Sequence, residues 1–135
     1  MRFLVVEDDS QMFDRIRSAV EALPGRPHDV TRVATEYDFT ESIGRLDFDA
    51  AIIDIMLPWA KVSKEIPPPP ENVKREGTLT AGRRCRDLML NTPSLSSKPY
   101  VFLTNLDSVI DGPVVQKSSD LSPLVSKLKE IMRLP

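Results

Sequence analysis

The chain has 135 residues, of which 41% are hydrophobic and 28% charged, an ordinary balance for one globular domain with a buried core. Its net charge of −2 argues against a general nucleic-acid or membrane surface, and no apolar run approaches the roughly 20 residues of a transmembrane helix. The one cysteine, Cys85, cannot form an internal disulfide, which favours a reducing, cytoplasmic location. The N-terminal sequence is typical of a strand followed by acids and not of a signal peptide.

The first part of the chain predicts alternating strands and helices. Residues 3–6 form an apolar strand that is followed at once by acids. Apolar residues then recur at helical spacing over 11–23, which predicts an amphipathic helix. A weaker strand follows at 30–34, and a second helix comes after it. The caps of the two helices are predicted at Asp9 or Ser10 and at Thr35, together with Asp38.

The apolar run of residues 49–58 predicts a buried strand that ends in one carboxylate, Asp54. Ligands bind at the carboxyl ends of the strands in open parallel sheets, which makes Asp54 a candidate site residue. After Pro58 the pattern fails, because residues 59–78 show no sustained period and contain four consecutive prolines. We interpret them as an insertion that forms a flexible loop rather than a docking peptide. Trp59 is expected to be a lid or a packing residue that anchors this insertion.

Regular structure resumes near Thr80 with a third helix that ends before Pro93. This helix carries Cys85, expected in the core, and three arginines expected on a solvated outer face: Arg83, Arg84 and Arg86. Strands are predicted at 100–103 and 113–116, and the segment between them is too short for more than a turn or two of helix. The last amphipathic helix is predicted to begin at Ser122-Pro123.

This alternation predicts a single α/β domain over residues 1–135, with a parallel sheet and helices on both of its faces. Each strand that could lie centrally is followed by a reactive side chain. Because the carboxyl ends of parallel strands share one edge of the sheet, we expect these side chains to meet there. They are Glu7 and Asp8, Asp54, Thr104 and Lys117.

Three carboxylates that lie close together repel one another, and a hard cation such as Mg²⁺ removes the repulsion. We expect Asp8 and Asp54 to bind the ion directly and Glu7 to act through water, with the backbone carbonyl of Met56 as a further ligand. A carboxylate can also attack phosphorus to give an aspartyl phosphate. Lys117 and the Thr104 hydroxyl would then neutralise the phosphoryl oxygens.

The chain resembles the receiver domain of two-component response regulators. The resemblance is carried by Phe3-Leu-Val-Val-Glu-Asp-Asp9, Asp54-Ile-Met-Leu-Pro58, Leu103-Thr104 and Gln116-Lys117, in the family's order, and covers nearly all of the chain except the insertion. It implies a three-layer, flavodoxin-like (βα)5 sandwich with a five-stranded parallel sheet in the order 2-1-3-4-5.

The resemblance also implies a function. Asp54 would be the phospho-acceptor, Glu7 and Asp8 would hold Mg²⁺, and Thr104 and Lys117 would bind the phosphoryl group. The donor would be a phosphohistidine on a histidine kinase or a phosphotransfer protein, and the output a contact with a downstream protein. Such a phosphorelay module is not an enzyme beyond its own phosphorylation and slow autodephosphorylation. It would act alone or as part of a longer protein, and the sequence leaves open whether it forms a homodimer.

Several positions depart from the family pattern. Ser118 follows Lys117 where the family usually has a cis-proline, so that turn is either rebuilt or strained. Val114 occupies the position of the usual switch aromatic, and the family's fourth helix is shortened. Met56 and Leu106, two residues beyond Asp54 and Thr104, are apolar, which predicts slow hydrolysis of the phosphoryl group.

Two other functions remain open from the sequence. One is a receiver-like interaction domain that does not depend on phosphorylation, which the changed switch position and the short helix favour. The other is a Mg²⁺-dependent phosphatase or nuclease, but the D-x-D pattern of those enzymes is missing at Asp54, and Asp47-x-Asp49 precedes the strand at the wrong edge. No phosphate-binding glycine motif indicates a nucleotide site.

Overall fold

The computed structural model describes residues 1–61, 65–106 and 110–135. Residues 62–64 of the predicted insertion and 107–109 of the predicted short connection lie outside the described residues. Within these ranges the chain forms five parallel strands, paired in the order β2-β1-β3-β4-β5, as the sequence predicted. The strands are β1 Arg2–Val6, β2 Asp29–Val33, β3 Ala50–Asp54, β4 Tyr100–Thr104 and β5 Val114–Gln116.

Helices cover both faces of this sheet, which is the three-layer sandwich that the sequence predicted. The described helices are α1 Ser10–Glu21, α2 Glu36–Ser42, α3 Glu71–Glu76, α4 Ala81–Leu90 and α5 Ser122–Met132, with 3-10 turns at Ile43–Arg45 and Thr78–Thr80. Alternate residues of each strand point to opposite faces, so the central strands feed two cores. Ile53 packs with Phe39 and Met89 of α2 and α4, and its neighbour Ile52 packs on the side of α1 and α5.

The predicted helix caps are confirmed. The Met12 backbone N–H donates to the Asp9 carboxylate over 3.0 Å, and the Asp38 N–H donates to the Thr35 hydroxyl over 3.1 Å. These bonds satisfy backbone donors that the first turn of each helix would otherwise leave unpaired. They also fix where the chain leaves β1 and β2, and therefore where the acids after β1 lie.

The described part of the insertion, residues 59–61 and 65–78, has more regular structure than the sequence predicted. It contains the short helix α3 and an anchor at Trp59, whose ring nitrogen donates to the Pro67 carbonyl over 3.2 Å, and a 3-10 turn begins at its last residue, Thr78. The indole ring also packs edge-to-face on Tyr37 of α2, with 5.5 Å between ring centroids. The expectation that Trp59 anchors the insertion is confirmed for these contacts, and the expectation of an irregular segment is wrong at 71–76.

The interpretation of the α4 arginines as a solvated face is wrong for Arg84 and Arg86, whose side chains are 12% and 8% exposed. Arg84 forms a two-pronged ion pair with the buried carboxylate of Glu36 in α2, with both N–O distances at 2.7 Å. Arg86 donates to the Tyr100 hydroxyl over 3.1 Å and to the Asp111 carbonyl over 3.0 Å. Both arginines therefore join α4 to other elements, while Cys85 between them is buried as predicted.

The connection from β4 to β5 is short, as predicted, and contains no helix among its described residues, which exclude 107–109. Val114 is the first residue of β5 and pairs with Phe102. The Lys117–Ser118 peptide bond is trans, so the turn after Lys117 is rebuilt relative to the family pattern. The Ser118 carbonyl in that turn accepts a hydrogen bond from the Arg15 guanidinium of α1.

None of the helices in the described ranges combines the length and the apolar character that a membrane span requires.

Candidate functional site

Three carboxylates meet at the carboxyl edge of the sheet. Glu7 and Asp8 follow β1, and Asp54 ends the neighbouring β3, because Val6 pairs with Ile53 in the parallel register. One oxygen from each of these carboxylates lies within 4.8 Å of the others. Glu7 and Asp54 are buried, whereas Asp8 is exposed at the mouth of the cluster. The convergence that the sequence predicted is therefore present for all three acids.

Lys117 reaches this cluster from β5, an outer strand of the sheet. Lys117 directly follows β5, which lies two strands from β3 in the sheet. Its ammonium lies 2.8 Å from Glu7 Oε1 and 2.9 Å from Asp54 Oδ2. Burial alone would lower the pKa of Lys117, but the hydrogen bonds to Glu7 and Asp54 outweigh it and raise the pKa. The lysine therefore carries a positive charge between two buried acids.

Glu7 is the acid whose charge the surroundings tolerate least. Burial, reinforced by the neighbouring carboxylate of Asp54, raises the pKa of Glu7 to about 8, although Lys117 opposes the shift. Its second oxygen, Oε2, is buried and has no hydrogen-bond partner among the described residues. An unpaired buried carboxylate oxygen is costly, so this atom marks a place where a positive partner is needed.

A divalent cation fits this donor set. Mg²⁺ takes carboxylate oxygens together with water and phosphate oxygens, and the cluster offers carboxylates, one of them with an orphaned oxygen. Glu7, Asp8 and Asp54 would hold the ion. The carbonyl of Met56 as a further ligand stays a prediction. The described contact of Met56 with the site is its backbone N–H, which donates to Asp54 Oδ1 over 3.2 Å.

Arg32 of β2 supports the loop that carries the two N-terminal acids. Its guanidinium donates to the carbonyls of Glu7 and Asp8 over 3.0 and 2.8 Å, and to the Ser10 hydroxyl over 3.2 Å. These bonds hold the backbone on which both side chains stand. The sequence analysis missed this residue, although an arginine inside a predicted strand was a visible signal.

Thr104 ends β4 one residue beyond Leu103, the register partner of Asp54, so it lies at the predicted edge. Its hydroxyl accepts a hydrogen bond from the Leu106 N–H over 3.0 Å, and its carbonyl accepts one from the Lys117 N–H over 2.9 Å. The described side-chain contacts therefore join Lys117 to Glu7 and Asp54, with Asp8 alongside, while the Thr104 hydroxyl is engaged locally.

A cavity of about 350 Å³ opens at this edge. Half of its eight lining residues belong to the predicted site, whereas Thr78 comes from the end of the insertion. Sequence reasoning missed Thr78 because nothing in a segment without periodicity indicates which residue folds back onto the sheet. The lining residues are Asp8, Asp9, Asp54, Met56, Leu57, Pro58, Thr78 and Lys117.

Gly82 in the first turn of α4 lies directly against the strand that carries Asp54. A Cβ at this position would lie 2.1 Å from the Asp54 carbonyl oxygen and 2.6 Å from the Ile55 Cα, so no side chain fits. The Gly82 N–H donates to the Ile55 carbonyl over 2.8 Å. Close contact between α4 and the end of β3 thus fixes the backbone of the candidate acceptor, a constraint that sequence analysis did not find.

Comparison with known proteins gives a result from structure and none from sequence: no family model matches the chain, and no curated protein matches it. One similar structure is the receiver domain of a sensor histidine kinase from Pseudomonas aeruginosa, solved with magnesium coordinated in the active-site cleft. It has a TM-score of 0.68 and 18% identity over 98% of this chain and 97% of that one.

Two further structures extend this likeness. A response regulator receiver domain protein from Methanospirillum hungatei has a TM-score of 0.66 and 18% identity, covering 98% of this chain and 93% of that one. A phosphorylated cyanobacterial phytochrome response regulator has a TM-score of 0.63 and 20% identity, covering 96% of this chain and 89% of that one. At these identities the comparisons identify the fold over nearly the whole chain.

Proposed function

The chain has the fold of response-regulator receiver domains, and from this premise we propose that it is a phosphorylation-switched signalling module. Asp54 accepts a phosphoryl group from a phosphohistidine on a histidine kinase or a phosphotransfer protein, and the phosphorylated domain signals through contacts with a downstream protein. The observation that carries the proposal is the Lys117 ammonium, which bridges Glu7 and Asp54 beside Asp8 at the carboxyl edge of the sheet.

The proposed reaction is a displacement at phosphorus. A carboxylate oxygen of Asp54 forms the new P–O bond while the P–N bond of the donor phosphohistidine breaks, and its electron pair stays on the imidazole nitrogen. Lys117, 2.9 Å from Asp54 Oδ2, neutralises negative charge on the transferred group. Mg²⁺ bound to the three carboxylates would supply further charge neutralisation for the phosphoryl oxygens.

Thr104 fits the proposed role of a phosphoryl ligand. Its hydroxyl oxygen accepts the bond from Leu106, which leaves its own hydrogen free to be donated. A phosphoryl oxygen on Asp54 is an acceptor of the kind that such a hydrogen requires. Thr104 is also buried, which keeps competing water away from the bond.

The proposal is tested by incubation with Mg²⁺ and acetyl phosphate, followed by intact-mass measurement. We expect the wild-type protein to gain the mass of one phosphoryl group, and we expect neither Asp54→Asn nor the wild type in EDTA to gain it. An unmodified wild-type protein, or an Asp54→Asn variant that is modified to the same extent, would show that the proposal is wrong.

A second candidate function is an interaction domain that does not depend on phosphorylation. It is favoured by Val114 at the position of the usual switch aromatic and by the lack of a helix in the described part of the β4–β5 connection. Amide spectra recorded with and without Mg²⁺ and beryllofluoride separate the two functions. Changes in the wild type that Asp54→Asn abolishes support the switch, and unchanged spectra of both proteins support the second candidate.

A further inference from the structure

The end of the insertion runs along one side of the acceptor site. We call residues 76–82 the return arm, since they lead from α3 back to α4. The Leu57 N–H donates to the Thr78 carbonyl over 3.3 Å, and Leu57 lies three residues beyond Asp54. Thr78 lines the cavity of about 350 Å³ that Asp54 and Lys117 also line. The return arm is thus a wall of the candidate site.

Arg84 fixes the return arm in place. Its guanidinium donates to the Gly77 carbonyl and to the Thr80 hydroxyl, each over 2.8 Å, and pairs with Glu76 over 3.2 Å. The same guanidinium is held by both carboxylate oxygens of Glu36, each at 2.7 Å. Thr78 lies between the residues that Arg84 binds, so its backbone is restrained on both sides.

The close packing of Gly82 on Asp54 fixes the other end of the return arm. Because a Cβ at Gly82 would lie only 2.1 Å from the Asp54 carbonyl oxygen, the arm ends in direct contact with the backbone of Asp54. The bond from the Gly82 N–H to the Ile55 carbonyl, at 2.8 Å, holds this contact. A side chain on a segment held at both ends can be positioned for binding.

Among the described residues that line the cavity, Thr78 carries a hydroxyl, and Thr104 is not in the lining. We propose that Thr78 is a further phosphoryl-binding residue, whose hydroxyl donates to an oxygen of the phosphoryl group on Asp54. This inference rests on the proposed function. It assigns to the insertion a direct part in the site, since Thr78 belongs to the segment by which this chain departs from the family pattern.

The test is the affinity for beryllofluoride in the presence of Mg²⁺, followed by the fluorescence of Trp59, the single tryptophan of the chain. Thr78→Val removes the hydroxyl at similar volume, and we expect it to weaken binding about tenfold, the loss of one charge-assisted hydrogen bond. Thr78→Ser keeps the hydroxyl and is expected to stay within about twofold of wild type. The matched control is Leu79→Ala, on the same arm, at a residue that is 56% exposed.

Two results would overturn the role of Thr78 alone. They are wild-type affinity in Thr78→Val, and equal weakening in Thr78→Ser and Thr78→Val, which would assign the effect to shape rather than to the hydroxyl. A wild-type protein that neither binds beryllofluoride nor accepts a phosphoryl group from acetyl phosphate would overturn the proposed function, and the role of Thr78 with it. Acetyl-phosphate labelling of the wild type thus distinguishes the two failures.

Discussion

At the scale of single residues, the site is organised by an unbalanced charge. Glu7, Asp8 and Asp54 contribute three carboxylates and Lys117 one ammonium, which leaves two negative charges when all four are ionised. Metal-free protein can relieve this excess by keeping a proton on Glu7, and burial of that carboxyl favours the same outcome. A divalent cation would replace the proton, so metal binding, protonation and stability would be linked in this site.

The linkage predicts how stability depends on pH. The pKa of Glu7 is raised from 4.5 to about 8 in the folded protein, so the stabilisation from its bound proton is complete below 4.5 and is lost as the pH rises through about 8. In EDTA we expect the wild-type melting temperature to fall over this range relative to Glu7→Gln, which stays neutral. Thermal unfolding of both proteins across the range measures the difference.

Magnesium provides the control for this pH dependence. Added Mg²⁺ should raise the melting temperature of the wild type most at the alkaline end of the range, where no proton has to be displaced. Parallel pH profiles of wild type and Glu7→Gln in EDTA would contradict the assignment of the proton to Glu7.

At the scale of secondary-structure elements, α4 connects β3, which carries Asp54, to the insertion. It packs on β3 through Gly82, and two residues later Arg84 binds the return arm and α2. Replacing the insertion is therefore expected to alter the candidate site. We expect substitutions in α4, even far from the carboxylates, to change both the free energy of unfolding and the rate of phosphorylation.

Gly82→Ala tests the contact between α4 and β3. The new methyl group would overlap the Asp54 carbonyl, so either the helix or the acceptor strand must move. We expect a loss of about 1–3 kcal/mol in the free energy of unfolding, typical of overpacking, and slower labelling by acetyl phosphate. Chemical denaturation and intact-mass time courses measure the two effects.

Gly44→Ala is the matched control, since a Cβ at Gly44 meets no atom within 4 Å. We expect this variant to be as stable as the wild type and to be labelled at the same rate. Equal behaviour of Gly82→Ala and Gly44→Ala would show that α4 does not constrain Asp54.

Arg84→Met tests the ion pair between α4 and α2. It leaves Glu36, whose side chain is 6% exposed, without its cation, and breaking a buried pair in this way costs about 3–5 kcal/mol. Denaturant unfolding should show this loss, and adding Glu36→Gln to the same protein should restore part of it.

Arg17→Met is the matched control. It removes an arginine from an exposed pair with Asp14 and should change the free energy of unfolding by less than about 1 kcal/mol. Similar losses in Arg84→Met and Arg17→Met would contradict a structural role for the buried pair.

At the scale of the whole molecule, the sequence predicted the features that depend on the local pattern of apolar and polar residues. Periodicity placed the strands and most helices, and the parallel arrangement brought Glu7, Asp54 and Lys117 to one edge. What it could not predict depends on partners distant in the sequence. Arg84 looked solvated because its partner Glu36 lies 48 positions away.

The insertion was the other limit of the sequence analysis. Thr78 lines the cavity because the chain folds back onto the sheet, which the periodicity of the sequence does not indicate. The need for glycine at position 82 depends on its contact with β3, which is equally invisible in the sequence. The two departures from the family pattern after β4 bear on the proposed signalling. These departures are Val114 at the switch position and the rebuilt turn after Lys117. Thr78, the last residue of the insertion, lines the candidate site from a different side.

The measurement that tests the central claim most directly is the location of the phosphoryl group in the chain. Protein labelled with acetyl phosphate and Mg²⁺ is reduced with borohydride, which converts an aspartyl phosphate to homoserine, and its peptides are sequenced by tandem mass spectrometry. We predict conversion at Asp54 and at no other carboxylate. Conversion at Asp8 or Glu7 instead, or no conversion in a protein that binds Mg²⁺, would contradict the assignment of Asp54 as the phosphoryl acceptor.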